Sequence, residues 1–161
     1  NLNNELVKIE NYSLNKKKIE LDDILKLTNL AENHHISSLV DYSLAKNKTK
    51  TLNILNENNL NSEDCIYILR MFLNKLKRLL IIKNELREND NIEKIISSHK
   101  PPIFWKDKEL VKQQIKAWKY DNIKKQIVKT NSLELKIKKN PSASIFLVTD
   151  FILERTLEIS N

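Results

Sequence analysis

The sequence predicts an all-α protein. Two observations carry the expectation: apolar residues recur at spacings of three and four along the 161 residues, and no segment alternates apolar and polar residues with period two for long enough to make a strand. Polar breaks and prolines separate the periodic stretches, so the helices should pack as a bundle or in layers.

Residues 2 to 11 read as the last turns of a helix, followed by the polar break SLNKKK. The opening NLNNELVKIENY, with Leu2, Leu6 and Ile9 already at helical spacing, reads as a piece cut from a longer protein. A short helix should begin at Ile19 to Leu25, with Leu21, Ile24 and Leu25 inward and Glu20 as a weak cap. AENHH, residues 31 to 35, shows no periodicity and is the candidate domain boundary. From Ile36 to Lys46 a helix should bury Ile36, Leu39, Val40 and Leu44, with Asn47 as the left-handed residue at its end. Thr49 to Asn58 follows as an amphipathic helix, stopped by Asn59.

Residues 62 to 88 form the longest periodic stretch. One apolar row runs Ile66, Leu69, Leu73, Leu76, Leu80 and a second runs Cys65, Ile68, Phe72, Leu79, Ile82, Leu86. Two adjacent rows predict a helix buried along most of its length, with Arg70, Asn74, Lys75, Lys77, Arg78 and Lys83 reaching water. Ile66, Leu69, Phe72, Leu73, Leu76 and Leu80 are its expected core spine. Ser62 is the expected N-cap, and Glu63 and Asp64 suit the positive end of the helix dipole.

Beyond the turn REND, Ile92, Ile95 and Ile96 mark a short helix ended by Pro101-Pro102. Phe104 or Trp105 to Trp118 is helical, with Leu110, Val111, Ile115 and Trp118 inward. The next helix passes through Ile123, Ile127, Leu133 and Ile137 and breaks at Lys139-Asn140-Pro141. Ser142 should cap a last helix whose buried face holds Phe146, Thr149, Leu153 and Leu157, flanked by Ile145, Val148 and Ile152.

Composition narrows the chemistry. Glycine is absent where average usage of about 7% predicts roughly eleven. The chain therefore lacks a Walker phosphate loop, a dinucleotide fingerprint and a nucleophile elbow. One cysteine excludes an internal disulfide, and three histidines show no metal-ligand spacing, so no cofactor is expected and a reducing, cytoplasmic setting is the simplest inference. Adjacent His34 and His35 project in different directions and read as a loop. No apolar run reaches the roughly eighteen residues of a membrane span. Cys65 lies on the buried arc and reads as a small core hydrophobe. Trp105, Trp118 and Tyr120 read either as core or as stacking platforms for bases, and Trp118 fits an apolar row.

A net charge of +7 admits a polyanionic partner, yet Lys outnumbers Arg 24 to 4, as residue bias from an AT-rich genome would also give. The densest basic spot is Lys136, Lys138 and Lys139 with Asn140, preceded by Lys124, Lys125 and Lys129. It reads either as a phosphate contact or as a solvated face.

Several stretches taken together resemble a known family. NELVKIENY, IELDDILKL, SSLVDYSLAKNKTKTLNILNENNL, PPIFWKD, AWKYDNI and LELKIKKNPSAS occur in an order and spacing similar to the C-terminal half of the delta subunit of the bacterial DNA polymerase III clamp loader. The resemblance implies that residues 1–32 end a small helical lid domain and residues 33–161 form a helical collar domain. It also implies a non-catalytic subunit fragment that joins the tau or gamma and delta prime subunits in a collar ring supporting sliding-clamp loading during DNA replication. The clamp itself would be met only through the family's AAA+-like domain, to which none of these residues corresponds. In the family the loop between the last two collar helices points toward primer-template DNA, and here it is Lys138, Lys139 and Asn140. The alternative, drawn from charge, is a stand-alone helical nucleic-acid-binding module.

Overall fold

The computed structural model describes residues 2–14, 18–21, 23–24, 30–57 and 60–157, and among them all regular structure is helical. The chain divides into two compact units, Asn1–Ser37 and Ser38–Asn161. In the first, α1 spans Leu2–Ser13. Of the expected helix from residue 19, only its start lies within the described residues. There the Glu20 N–H donates to Asp23 Oδ2 at 3.1 Å, so a carboxylate one turn on supports the weak cap. Tyr12 Oη donates to the same carboxylate at 3.0 Å.

α2 spans Leu30–Leu44, so residues 31 to 35 are helical and the expected non-periodic break is corrected. Its C-terminus corrects a second expectation. Asn47 N–H donates to Tyr42 O at 2.9 Å and Lys46 N–H to Ser43 O at 3.0 Å, the paired bonds of a Schellman motif. Lys46, not Asn47, holds the left-handed position, at φ 56°. Asn47 instead starts α3 (Lys48–Glu57), its side chain accepting from the Lys50 N–H at 3.1 Å. The expected stop at Asn59 lies outside the described residues.

α4 spans Ser62–Glu85 and is the central helix of the second unit. Its N-cap is Asn61 rather than Ser62: Asn61 Oδ1 accepts from the Glu63 and Asp64 N–H groups, both at 2.9 Å, and Asp64 Oδ2 accepts from the Asn61 N–H at 3.0 Å. This is a complete capping box. Leu69, Phe72, Leu73 and Leu76 of the expected spine are buried. Ile66 and Leu80 are only half-buried, and the spine is completed by Cys65, Ile68, Leu79 and Ile82. The apolar arc is thus centred on the second row. Lys75 is also corrected, because its ammonium is withdrawn from water against Asp41 of α2.

α5 (Ile92–Ser98) is capped by Asn91, which accepts from the Lys94 N–H at 3.0 Å. A 3-10 turn at Trp105–Asp107 leads into α6, Lys108–Ala117. α7 spans Tyr120–Lys139, packs along α4, and is followed by a 3-10 turn at Pro141–Ala143. α8 spans Ser144–Leu157, so Ser142 lies within the 3-10 turn and does not cap the helix, its hydroxyl donating to Asn140 Oδ1 at 2.7 Å.

The orientation of α8 is the largest correction. Its buried face is Ser144, Val148, Phe151, Ile152, Arg155 and Thr156. Phe146 is 75% exposed, Ile145 and Leu157 are also exposed, and Thr149 and Leu153 are half-buried. Arg155 and Thr156, two of the three polar residues on the inner face, are paired there, whereas the buried Ser144 hydroxyl has no hydrogen-bond partner among the described residues. Arg155 Nε donates to Gln126 Oε1, its Nη1 lies 2.7 Å from Glu154 Oε2, and its guanidinium covers the Phe151 ring at 4.3 Å. Thr156 Oγ1 donates to Ser43 Oγ at 3.1 Å. Once such groups are paired, burying them costs little, and Phe151 can make its edge-on contact with Phe72 at 5.2 Å.

Candidate functional site

The basic spot forms where α7 ends. Pro141 cannot continue the helix, and the Asn140 N–H closes it by donating to Lys136 O at 3.0 Å and Ile137 O at 3.1 Å. Lys136, Lys138, Lys139 and Asn140 are all exposed, with the three lysines in the last turn, where the helix dipole favours cations. Lys138 is bound to Glu134 at 2.6 Å, and Glu134 also faces Arg70 at 3.8 Å. Lys136 and Lys139 have no acidic partner among the described residues. An anion here would be met by side chains, the lysines and the Asn140 amide, since the helix end presents carbonyl oxygens.

The other α7 lysines join this surface unequally. Lys124 lies 4.4 Å over the Tyr120 ring, which Arg87 of the chain segment after α4 also approaches at 4.1 Å. Lys129 pairs with Glu154 of α8 at 3.2 Å. Between Lys124 and Lys139 the same exposed face carries Val128, 64% exposed, and Leu135, 61% exposed. Both escaped the sequence reading, which followed the inward row. Their seven-residue spacing amid lysines was the available signal.

The aromatic candidates separate. Trp118 is buried and donates from Nε1 to Leu44 O at 2.7 Å, so it is core and also closes α2. Trp105 is 68% exposed beside Phe104, their ring centroids 5.8 Å apart. Cys65 is fully buried, and burial pushes its thiol above the ordinary range. His99 is buried at the end of α5, and His35 is exposed within α2. Among the described residues no three His, Cys, Asp or Glu side chains gather as a metal set.

Comparison with family models, curated proteins and solved structures finds no match. The physical features of the surface therefore carry the functional reading.

Two shallow grooves border α8. One, of about 330 Å³, is lined by Leu52, Leu55 and Leu60 on one side and Ile145, Thr149 and Leu153 on the other. The second, of about 340 Å³, runs between α7 and α8, with Val128, Leu133, Leu147 and Phe151 as its apolar lining and Lys129 and Lys136 at its edge. No helix among the described residues is long and apolar enough to cross a membrane.

Proposed function

We propose that this chain is an assembly module: the lid end and collar of a clamp-loader delta subunit, acting in the cytoplasm without catalysis by packing against the collars of tau or gamma and delta prime. The observation that carries the reading is the outward apolar face of α8. Ile145, Phe146 and Leu157 stand exposed beside the uncharged groove against α3. A helix that turns Phe146 to solvent while holding Arg155 inside is built to lose that exposed surface to a neighbour. The all-α fold supports the same reading, because the resemblance implies a purely helical collar.

The test is co-migration. This chain, mixed with folded tau and delta prime collars at micromolar concentration, should elute with them in size-exclusion chromatography. Phe146→Asn with Leu157→Asn should abolish co-migration without loss of helicity. Separate elution of the unsubstituted chain from folded partners would remove the reading's main support.

The exposed Lys136, Lys138 and Lys139 favour a second reading, a stand-alone helical nucleic-acid-binding module. It requires affinity that falls steeply with salt and falls again when the three lysines become glutamates.

A further inference from the structure

The outer face of α7 has the features of a docking seam, and nothing in the assembly reading uses it. Val128 and Leu135 lie seven residues apart, so they stand almost in line along the helix, about 10 Å from one another. Lys124 and Lys138 flank that line on one side and Lys125, Lys129 and Lys136 on the other, with Lys139 at its end. All six lysines are exposed. Asp121, in the first turn, is the one exposed carboxylate on α7, while Glu134 is half-buried and engaged by Lys138 and Arg70. The adjoining groove deepens the seam beside Val128 with Leu133, Leu147 and Phe151, and its α8 wall also carries Asp150 and Glu154, the latter paired with Lys129.

We infer that this face docks an acidic amphipathic helix. Apolar side chains one heptad apart on the partner would seat on Val128 and Leu135, and carboxylates flanking them would meet the lysines. Apolar residues along a line with like charges on both sides are the pattern by which paired helices choose a partner of opposite sign. Two copies of this chain cannot pair through the face, because lysine would oppose lysine. A nucleic acid fits it less well. Phosphates would satisfy the lysines but leave Val128 and Leu135 uncovered, and none of the exposed rings, Tyr67, Phe104, Trp105 and Phe146, lies on α7. The inference does not depend on the clamp-loader reading.

The probe is a fluorescein-labelled three-heptad peptide with Ile and Leu at its a and d positions and Glu at every e and g position, which repels its own copies at neutral pH. Titrated with the full chain, its anisotropy should rise to saturation, and a matched peptide with Lys at e and g should not bind. Val128→Asp with Leu135→Asp should weaken binding at least about tenfold. Lys125→Glu with Lys136→Glu should weaken binding of the Glu peptide at least about tenfold. All four positions are exposed, so circular dichroism should show the variants folded. Equal binding of both peptides, or indifference to the aspartates at 128 and 135, overturns the inference. A single-stranded oligonucleotide that displaces the Glu peptide and responds only to the lysine changes also overturns it, assigning the face to nucleic acid.

Discussion

The indole of Trp118, at the C-cap of α6, donates a hydrogen bond of 2.7 Å to the backbone carbonyl of Leu44, at the last residue of α2. A helix ends with carbonyls that have no partner within it, and in a buried place each needs one from elsewhere. Trp118 supplies it, and Lys46 lies over the same ring at 4.7 Å. One side chain thereby fixes where α2 stops and where α6 packs. Trp118→Phe keeps most of the ring but leaves the Leu44 carbonyl buried and unpaired. Urea unfolding should show a loss of about 1–3 kcal/mol.

The Asp41 carboxylate meets Lys75 of α4 and accepts from Gln114 Nε2 of α6 at 2.9 Å. Removing the ammonium leaves a largely buried carboxylate with one neutral donor, so Lys75→Met should destabilise by about 3 kcal/mol. Asp41→Asn with Lys75→Met should cost less than the single change, and a double-mutant cycle measures the difference.

The same lysine sets a pH dependence. Desolvation lowers the Lys75 pKa from 10.5, and the neighbouring Asp41 offsets only part of that. Between the lowered folded value and 10.5 the unfolded chain binds more protons at this site, so the Lys75 contribution to stability rises with pH across that window. Below the folded value it is at its least favourable. Denaturation midpoints compared for the unsubstituted chain and Lys75→Met should show this rising component only in the former.

The α4 cap should respond to a single change. Asn61→Ala removes the acceptor for the Glu63 and Asp64 N–H groups and should lower stability by about 1 kcal/mol, read as a fall in thermal midpoint. Ser62→Ala, one residue on, should change it by less than about 0.5 kcal/mol.

The facing of α8 can be tested by paired truncations. Val148→Ala opens space in the core and should cost about 1–3 kcal/mol, whereas Phe146→Ala, despite the larger deletion, should fall within about 0.5 kcal/mol of the unsubstituted chain. Equal costs would contradict the observed orientation.

Much of this was legible from spacing alone. The rows through Ile36, Leu39, Val40 and Leu44, through Cys65 to Ile82, and through Val111, Ile115 and Trp118 pointed correctly to buried faces, because a helix repeats every 3.6 residues whatever surrounds it. The basic last turn of α7 was legible for the same reason, as a run of lysines before a proline. Caps were less so. Asn61 and Ser62 are both good caps in isolation, and the choice fell to Asn61 because Asp64 can then close the reciprocal bond.

The sequence by itself determined that the chain is helical, where most helices begin and end, and which residues are basic, since these follow from local periodicity, prolines and charge. Only the tertiary structure decided which face of α8 goes inside. Counting apolar residues favours Phe146, Leu153 and Leu157, but the position against α2, α4 and α7 offers Ser43, the Phe72 ring and Gln126. Those partners satisfy Arg155 and Thr156 and release the apolar side to the surface. Whether a polar side chain can be buried depends on what it meets, and that is information held by another helix.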